Sequence, residues 1–228
     1  MRLQVLASAI LALAATASFA QGPATGGTTA KKKSTTAKTS AKAESAASPA
    51  KTGNEKIDTL RPPAGAKVAI VVFEDLQCPD CARAAPLVKD VSKAEKIPVV
   101  RHDFPLPMHN WSFQAAIIAR WFDTKSKEIG DEWREYCFAN QPSLTPDNLS
   151  QTAQKFATDH KLALPFMVDP TGALSAKVRS DFQLGQRIGI QHTPTLFVVT
   201  NASKTEPFVE VVDRSKLTEM IETAKKSK

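Results

Sequence analysis

Cysteine is scarce in this chain: three residues in 228. A small disulfide-stapled scaffold carries many more in far fewer residues, so that class is excluded. The sequence has no internal repeat, which removes solenoids and propellers. With 42% hydrophobic and 23% charged residues it is neither a polytopic membrane protein nor a wholly disordered chain. The folded part also lacks a basic face. The net charge is +7, but Arg2 and the Lys-rich stretch of residues 21–60 carry +5 of it, leaving +2 for residues 61–228. The basic balance therefore marks no nucleic-acid surface.

Residues 21–60 have almost no large apolar side chain before Ile57. Such a segment cannot offset its ordering entropy by burial, and it is expected to be a disordered tether with a reach of roughly 35 Å. Lys31, Lys32 and Lys33 within it are too few for a polybasic membrane anchor. Before the tether, Met1-Arg2, the uncharged run from Leu3 to Ala15 and the small residues of Ser18-Phe19-Ala20 have the three parts of a signal peptide. Residues 1–20 are read as that signal, or as an uncleaved anchor that would tether the protein to the membrane. Either reading places the rest in an extracytoplasmic compartment, where disulfides persist.

Residues 61–228 read as one α/β domain. Val68-Ala-Ile-Val-Val-Phe73 is a continuous β-branched run, expected as a strand buried on both faces. A helix from about Pro79 to Lys93 and a second strand from Ile97 to Phe104 complete a right-handed βαβ unit. Helical patterns follow over 111–122, 128–140, 145–160 and 171–189, the third opening with Pro146 at its first helical position. Strands over Thr195 to Thr200 and Phe208 to Val212, then a helix from Ser215 to Lys225, close the chain. The order is βαβ, a helical block over about 108–188, then ββα around a central mixed sheet.

Cys78-Pro79-Asp80-Cys81 stands where the first strand gives way to the first helix. Spacing of three on a helix brings two Cβ atoms within bonding range. Free N–H groups and the dipole at the helix N-terminus favour a thiolate at Cys78, and thiolate is the attacking species. Pro79 falls where its missing N–H costs nothing. A thiol pKa lowered from ~8.5 to ~5 stabilises the reduced form by about 5 kcal/mol and makes the disulfide a good oxidant. Two other readings of the motif stand beside this one. It can be half of a zinc or copper site completed by Cys137 and His192, or a static structural bridge. Cys137 shares a helical stripe with Ile129 and Trp133 and is expected in the core. His102 and His109 flank Phe104-Pro-Leu-Pro107 without the spacing of a complete metal site. The Asn-x-Ser triplets at Asn110, Asn148 and Asn201 matter only in a glycosylating host. His192-Thr193-Pro194 precedes a buried strand, a place that suits proline and where an X-Pro bond can be cis.

Four segments in order, Phe73 to Cys81, Arg101 to Leu106, Phe138 to Gln141 and His192 to Val198, make the chain resemble the DsbA-like thiol:disulfide oxidoreductases. The resemblance covers about residues 66–226. It implies a thioredoxin-like fold with an inserted all-helical subdomain. It implies that Cys78 is the exposed nucleophile and Cys81 the buried resolving cysteine. Pro194 is expected to be cis and to face the pair, with the Thr193 backbone pairing with substrate. Pro79 and Asp80 shape the site. The Asp80 carboxylate should raise the Cys78 pKa, whereas a His192 cation near the pair would lower it. Relatives often have an acidic residue where Val72 stands; Asp75 or Glu74 is the expected substitute as proton acceptor for Cys81.

The expected activity is exported thiol:disulfide exchange through Cys78 and Cys81, most simply as an oxidant. The alternatives are a reductase or isomerase with the same site, and a metal-sequestering protein. No cofactor is expected beyond the redox-active Cys78–Cys81 disulfide, and no resident metal. Expected partners are unfolded or newly exported proteins with thiols and a membrane protein that resets the pair, but no nucleic acid. A monomer is expected, since residues 21–60 offer no dimerisation segment.

Overall fold

The computed structural model describes residues 60–202 and 208–227. The expected signal peptide and nearly all of the expected tether lie outside them. The described chain runs β1 (Val68–Glu74), α1 (Pro79–Glu95), β2 (Val99–Asp103), α2 (Ser112–Asp123), α3 (Lys127–Asn140), α4 (Leu149–Asp159), α5 (Ala173–Ile188), β3 (Thr195–Thr200), β4 (Phe208–Glu210) and α6 (Leu217–Lys226). Among the described residues, no helix is long and apolar enough to cross a membrane.

The β-branched run forms the inner strand β1, and all seven of its residues are buried. The sheet order is β2-β1-β3-β4. β1 pairs parallel with β2, with Val72 opposite Arg101, and antiparallel with β3, with Val71 opposite Phe197; β3 pairs antiparallel with β4. Because side chains alternate along a strand, the run supplies two cores. Val68, Ile70 and Val72 pack with Val88 and Val91 of α1 and Leu217 and Ile221 of α6. Ala69, Val71 and Phe73 pack on the other face with Phe104, Phe197 and, from α5, Phe182 and Leu184.

A third core lies among α2, α3 and α4 and holds Trp111, Phe122, Trp133 and Phe156, with Leu174 and Val178 of α5. Leu76, Cys78 and Cys81 belong to it, so the cysteine pair sits where the sheet meets the helical block. α5 serves both cores, and its approach to the sheet is close. A Cβ on Gly185 would stand 2.5 Å from the Phe104 ring, which explains a glycine inside a helix.

Some boundaries differ from expectation. Leu60, assigned to the tether by composition, is buried against the sheet. β2 starts at Val99 rather than Ile97, and β4 ends at Glu210 rather than Val212. The regular part of α4 begins at Leu149, not at Pro146. Residues 146–148 form a turn bracketed by reciprocal bonds: Thr145 N–H donates to Asn148 Oδ1 at 2.9 Å, and Asn148 N–H to Thr145 Oγ1 at 3.3 Å. The last helix is preceded by a 3-10 turn, Arg214–Lys216.

Candidate active site

Cys78 is the N-cap of α1 and Pro79 its first residue. The turn from β1 is closed by Cys78 N–H donating to Asp75 O at 3.0 Å, and Ala82 N–H returns to Cys78 O at 3.2 Å as the helix begins. Gln141, just past α3, clamps this turn from the helical block. Its Nε2 donates to Leu76 O at 2.9 Å and Cys78 O at 3.0 Å. Gln77 adds a second clamp, accepting Trp111 N–H at 2.9 Å. Both glutamines lie inside segments that carry the resemblance, Phe73 to Cys81 and Phe138 to Gln141, but neither stands out as a site residue, because what each clamps is far along the chain.

Both cysteines are free thiols. Cys78 is less exposed than expected, at 7% against 2% for Cys81. The cis-proline loop is the reason. Thr193–Pro194 is a cis bond, and the Cys78 thiol donates to Thr193 O at 3.3 Å, placing that loop over the sulfur. The pair nonetheless differs sharply in acidity. Cys78 is lowered to about 5, chiefly by the Cys81 side chain, against the opposing effect of burial; Thr193 and the backbone N–H groups of Cys81 and Asp80 add to the lowering. Cys81 is pushed far up, first by burial and then by its bond to Cys78. The Thr193 hydroxyl is buried and unpaired in this dithiol state. The Thr193 side chain is also among the groups that lower the Cys78 pKa.

The remaining expected site residues fall out differently. Asp80 is held on both oxygens, Oδ2 by Arg214 and Oδ1 by Arg83, and these cations keep its carboxyl ionised and below the usual range. His192 is exposed, and its ring lies 3.5 Å from Thr195 Oγ1; it is not among the main influences on Cys78. The expected cation at the pair is therefore corrected: the loop that presents Thr193 inward turns its neighbour outward.

Asp75 reaches Cys81 through its backbone, its N–H lying 3.4 Å from the sulfur. Its carboxylate is bonded by His109 Nδ1 at 2.7 Å and by the N–H groups of Leu106 and Gln77. Glu74 is 4% exposed and pairs with Arg101 at 2.7 Å. Its other oxygen, Oε1, has no hydrogen-bond partner and lies 3.9 Å from the equally unpaired Nε of Arg134. Burial raises the Glu74 pKa, and its charge in turn pushes Cys81 up.

Cys137 is fully buried in α3, and burial raises its thiol pKa. The structure does not bring it to His192 or to the pair as a ligand set. No group of three or more His, Cys, Asp or Glu that could hold a metal exists among the described residues.

A dithiol pair opening a helix, set against a cis-proline on a mixed four-stranded sheet with helices inserted between β2 and β3, defines a thioredoxin fold with an inserted helical block. The chain belongs to the thioredoxin family: residues 63–214 match the family model described as Thioredoxin. The fold is similar to the thiol-disulfide exchange protein alpha-DsbA2 from Wolbachia pipientis, with 17% identity, TM-score 0.55, and 72% of this chain and 84% of that one covered. It is also similar to a periplasmic thioredoxin-like protein from Salmonella enterica serovar Typhimurium, with 22% identity, TM-score 0.55 and coverage of 69% and 83%. Among curated proteins, 145 residues are 28% identical to part of the Na(+)/H(+) antiporter NhaA 3 of Salinispora tropica. The match covers 62% of this chain and spans about a fifth of that relative's length, 21%.

Proposed function

We propose that the protein is an exported thiol:disulfide oxidoreductase that passes the Cys78–Cys81 disulfide to thiol-bearing substrate proteins. The observation that carries the reading is geometric: Cys78 caps α1 with its thiol on the Thr193 carbonyl beside the cis bond, and Cys81 lies buried behind it; in keeping with this, Cys78 is lowered to about 5 and Cys81 raised. A thiolate stabilised in the reduced state makes the disulfide eager to accept electrons. Lowering from 9.0 to about 5 favours the reduced form by about 5 kcal/mol only above pH ~9; near pH 7 about half of that remains, on the order of 60 mV in potential.

In the oxidised protein, a substrate thiolate attacks Cys78 Sγ, the less buried sulfur. The Cys78–Cys81 bond breaks, and Cys81 leaves and takes up a proton because burial disfavours its thiolate. The second substrate thiolate then attacks the substrate sulfur of the mixed disulfide. Cys78 leaves as a thiolate held by Thr193 and the helix N-terminus. The substrate loses two electrons and two protons; one proton goes to Cys81 and the other to solvent.

Newly exported or unfolded proteins with thiols are the partners on this reading, with a membrane redox protein to restore the disulfide. The leader-like residues 1–20 and the fold shared with a periplasmic protein support an extracytoplasmic site. The test is the equilibrium reduction potential in glutathione buffers. A value near about −120 to −180 mV supports a donor of disulfides, while about −250 mV or below makes the protein a reductant. Cys78→Ser must abolish exchange; unchanged exchange would refute the reading.

A further inference from the structure

Asp80 stands in the first turn of α1, two residues after Cys78. A carboxylate there destabilises a thiolate at Cys78 by like-charge repulsion. Yet both Asp80 oxygens are turned to cations. Oδ1 accepts from Arg83 Nη2 at 3.1 Å and Oδ2 accepts from Arg214 Nη2. Arg214 opens the 3-10 turn before α6, 134 positions along the chain. Its side chain is 33% exposed, against 68% for Arg83, so the Arg214 pair is the less screened of the two. The main-chain N–H of Asp80 meanwhile acts toward the Cys78 sulfur. One residue thus gives its amide to the thiolate and its carboxylate to a distant guanidinium.

We propose that Arg214 is a positioning residue for the redox pair: it holds the Asp80 carboxylate away from Cys78 and thereby keeps the pair oxidising. This rests on the oxidoreductase reading above. The other groups facing Cys78 are Cys81 from α1 and Thr193 from the cis-proline loop, while His192 is exposed on that loop. His109, on the loop after β2, is bound to Asp75. Among these, Asp80 is the unlike case, an anion whose effect depends on a partner from another element.

The test uses the full chain, reduced, as wild type, Arg214→Ala, Arg214→Lys, Asp80→Asn and the double variant Asp80→Asn/Arg214→Ala. The readouts are the pH titration of thiolate ultraviolet absorbance and the potential in glutathione buffers. Arg214→Ala is expected to raise the Cys78 pKa by about half a unit, roughly threefold in its ionisation constant. That corresponds to about 15 mV toward the reducing side. Arg214→Lys should keep most of the wild-type value, and in the Asp80→Asn background Arg214→Ala should shift nothing. No shift in Arg214→Ala, or a shift that persists without the Asp80 charge, overturns the proposal. Absence of disulfide exchange in the wild type would sink the oxidoreductase reading, yet the titrations would still decide the role of Arg214.

Discussion

The Cys78 thiol donates to the carbonyl of Thr193 at 3.3 Å, while the Thr193 hydroxyl beside it is buried without a partner. A buried hydroxyl left unpaired is costly, and a Cys78 thiolate would give it an acceptor. Thr193→Val keeps the shape and removes the donor. It is expected to raise the Cys78 pKa by about half to one unit, read from thiolate absorbance, with little change in unfolding free energy at acid pH. An unchanged titration would show that the hydroxyl plays no part.

The pH dependence follows from the same group. Cys78 falls from 9.0 to about 5 on folding. Its contribution to the stability of the reduced protein is therefore full above pH ~9 and lost progressively as pH falls to ~5. Urea unfolding of the reduced protein, compared with Cys78→Ser, should show the difference shrinking over that window. Attack of the reduced protein on a small disulfide should level off above pH ~6 and fall about tenfold per unit below pH ~5. A profile centred near pH 8.5, as for a free thiol, contradicts the asymmetry of the pair.

Glu74 lies close enough to raise the Cys81 pKa by charge alone, and its Oε1 is unpaired. Glu74→Gln removes the charge at nearly constant volume. If the effect is electrostatic, the Cys81 thiolate fraction rises, and resolution of a Cys78 mixed disulfide quickens by roughly two- to tenfold at neutral pH. Slower resolution, followed by stopped-flow release of the leaving thiol, would instead make Glu74 the proton acceptor for Cys81. Arg101 and Arg134 keep partners in Asp131 and Asp123, so the variant should still fold.

Gly185 places α5 against the sheet, with a virtual Cβ 2.5 Å from Phe104 and 3.2 Å from Phe73. On an open helix surface, alanine would stabilise by about 1 kcal/mol relative to glycine. Here Gly185→Ala is expected to cost about 1–3 kcal/mol, because two aromatic rings must shift. Denaturant unfolding measures it, and a stabilised protein would mean that the helix can lift without loss.

Local chemistry made much of the molecule legible. The β-branched run 68–73 could only be an inner strand, and the helical patterns between the two sheet halves were written in apolar spacing. The cysteine pair was legible because the strand-to-helix junction that sets it out is built within a few residues, and the chief influence on Cys78, the Cys81 side chain, is three positions away. Asp80 is the complementary case. Its place two residues after Cys78 is visible in sequence, but its partner Arg214 lies 134 positions away. His192 misled because the direction of a side chain on a loop follows from how that loop packs. Leu60 was assigned by the composition of the segment before it, whereas its burial depends on a sheet face it meets only in the fold.

The sequence by itself determined the elements, the class of fold and the nucleophilic pair, all set by propensity, periodicity and contacts a turn or less apart. Tertiary structure decided the environment of that pair: Thr193 over Cys78, Gln141 on the turn, Asp75 spent on His109, and Asp80 bound to Arg214. Those contacts join groups far apart in the chain, and charge and hydrogen bonding act over a few ångströms of space regardless of sequence separation.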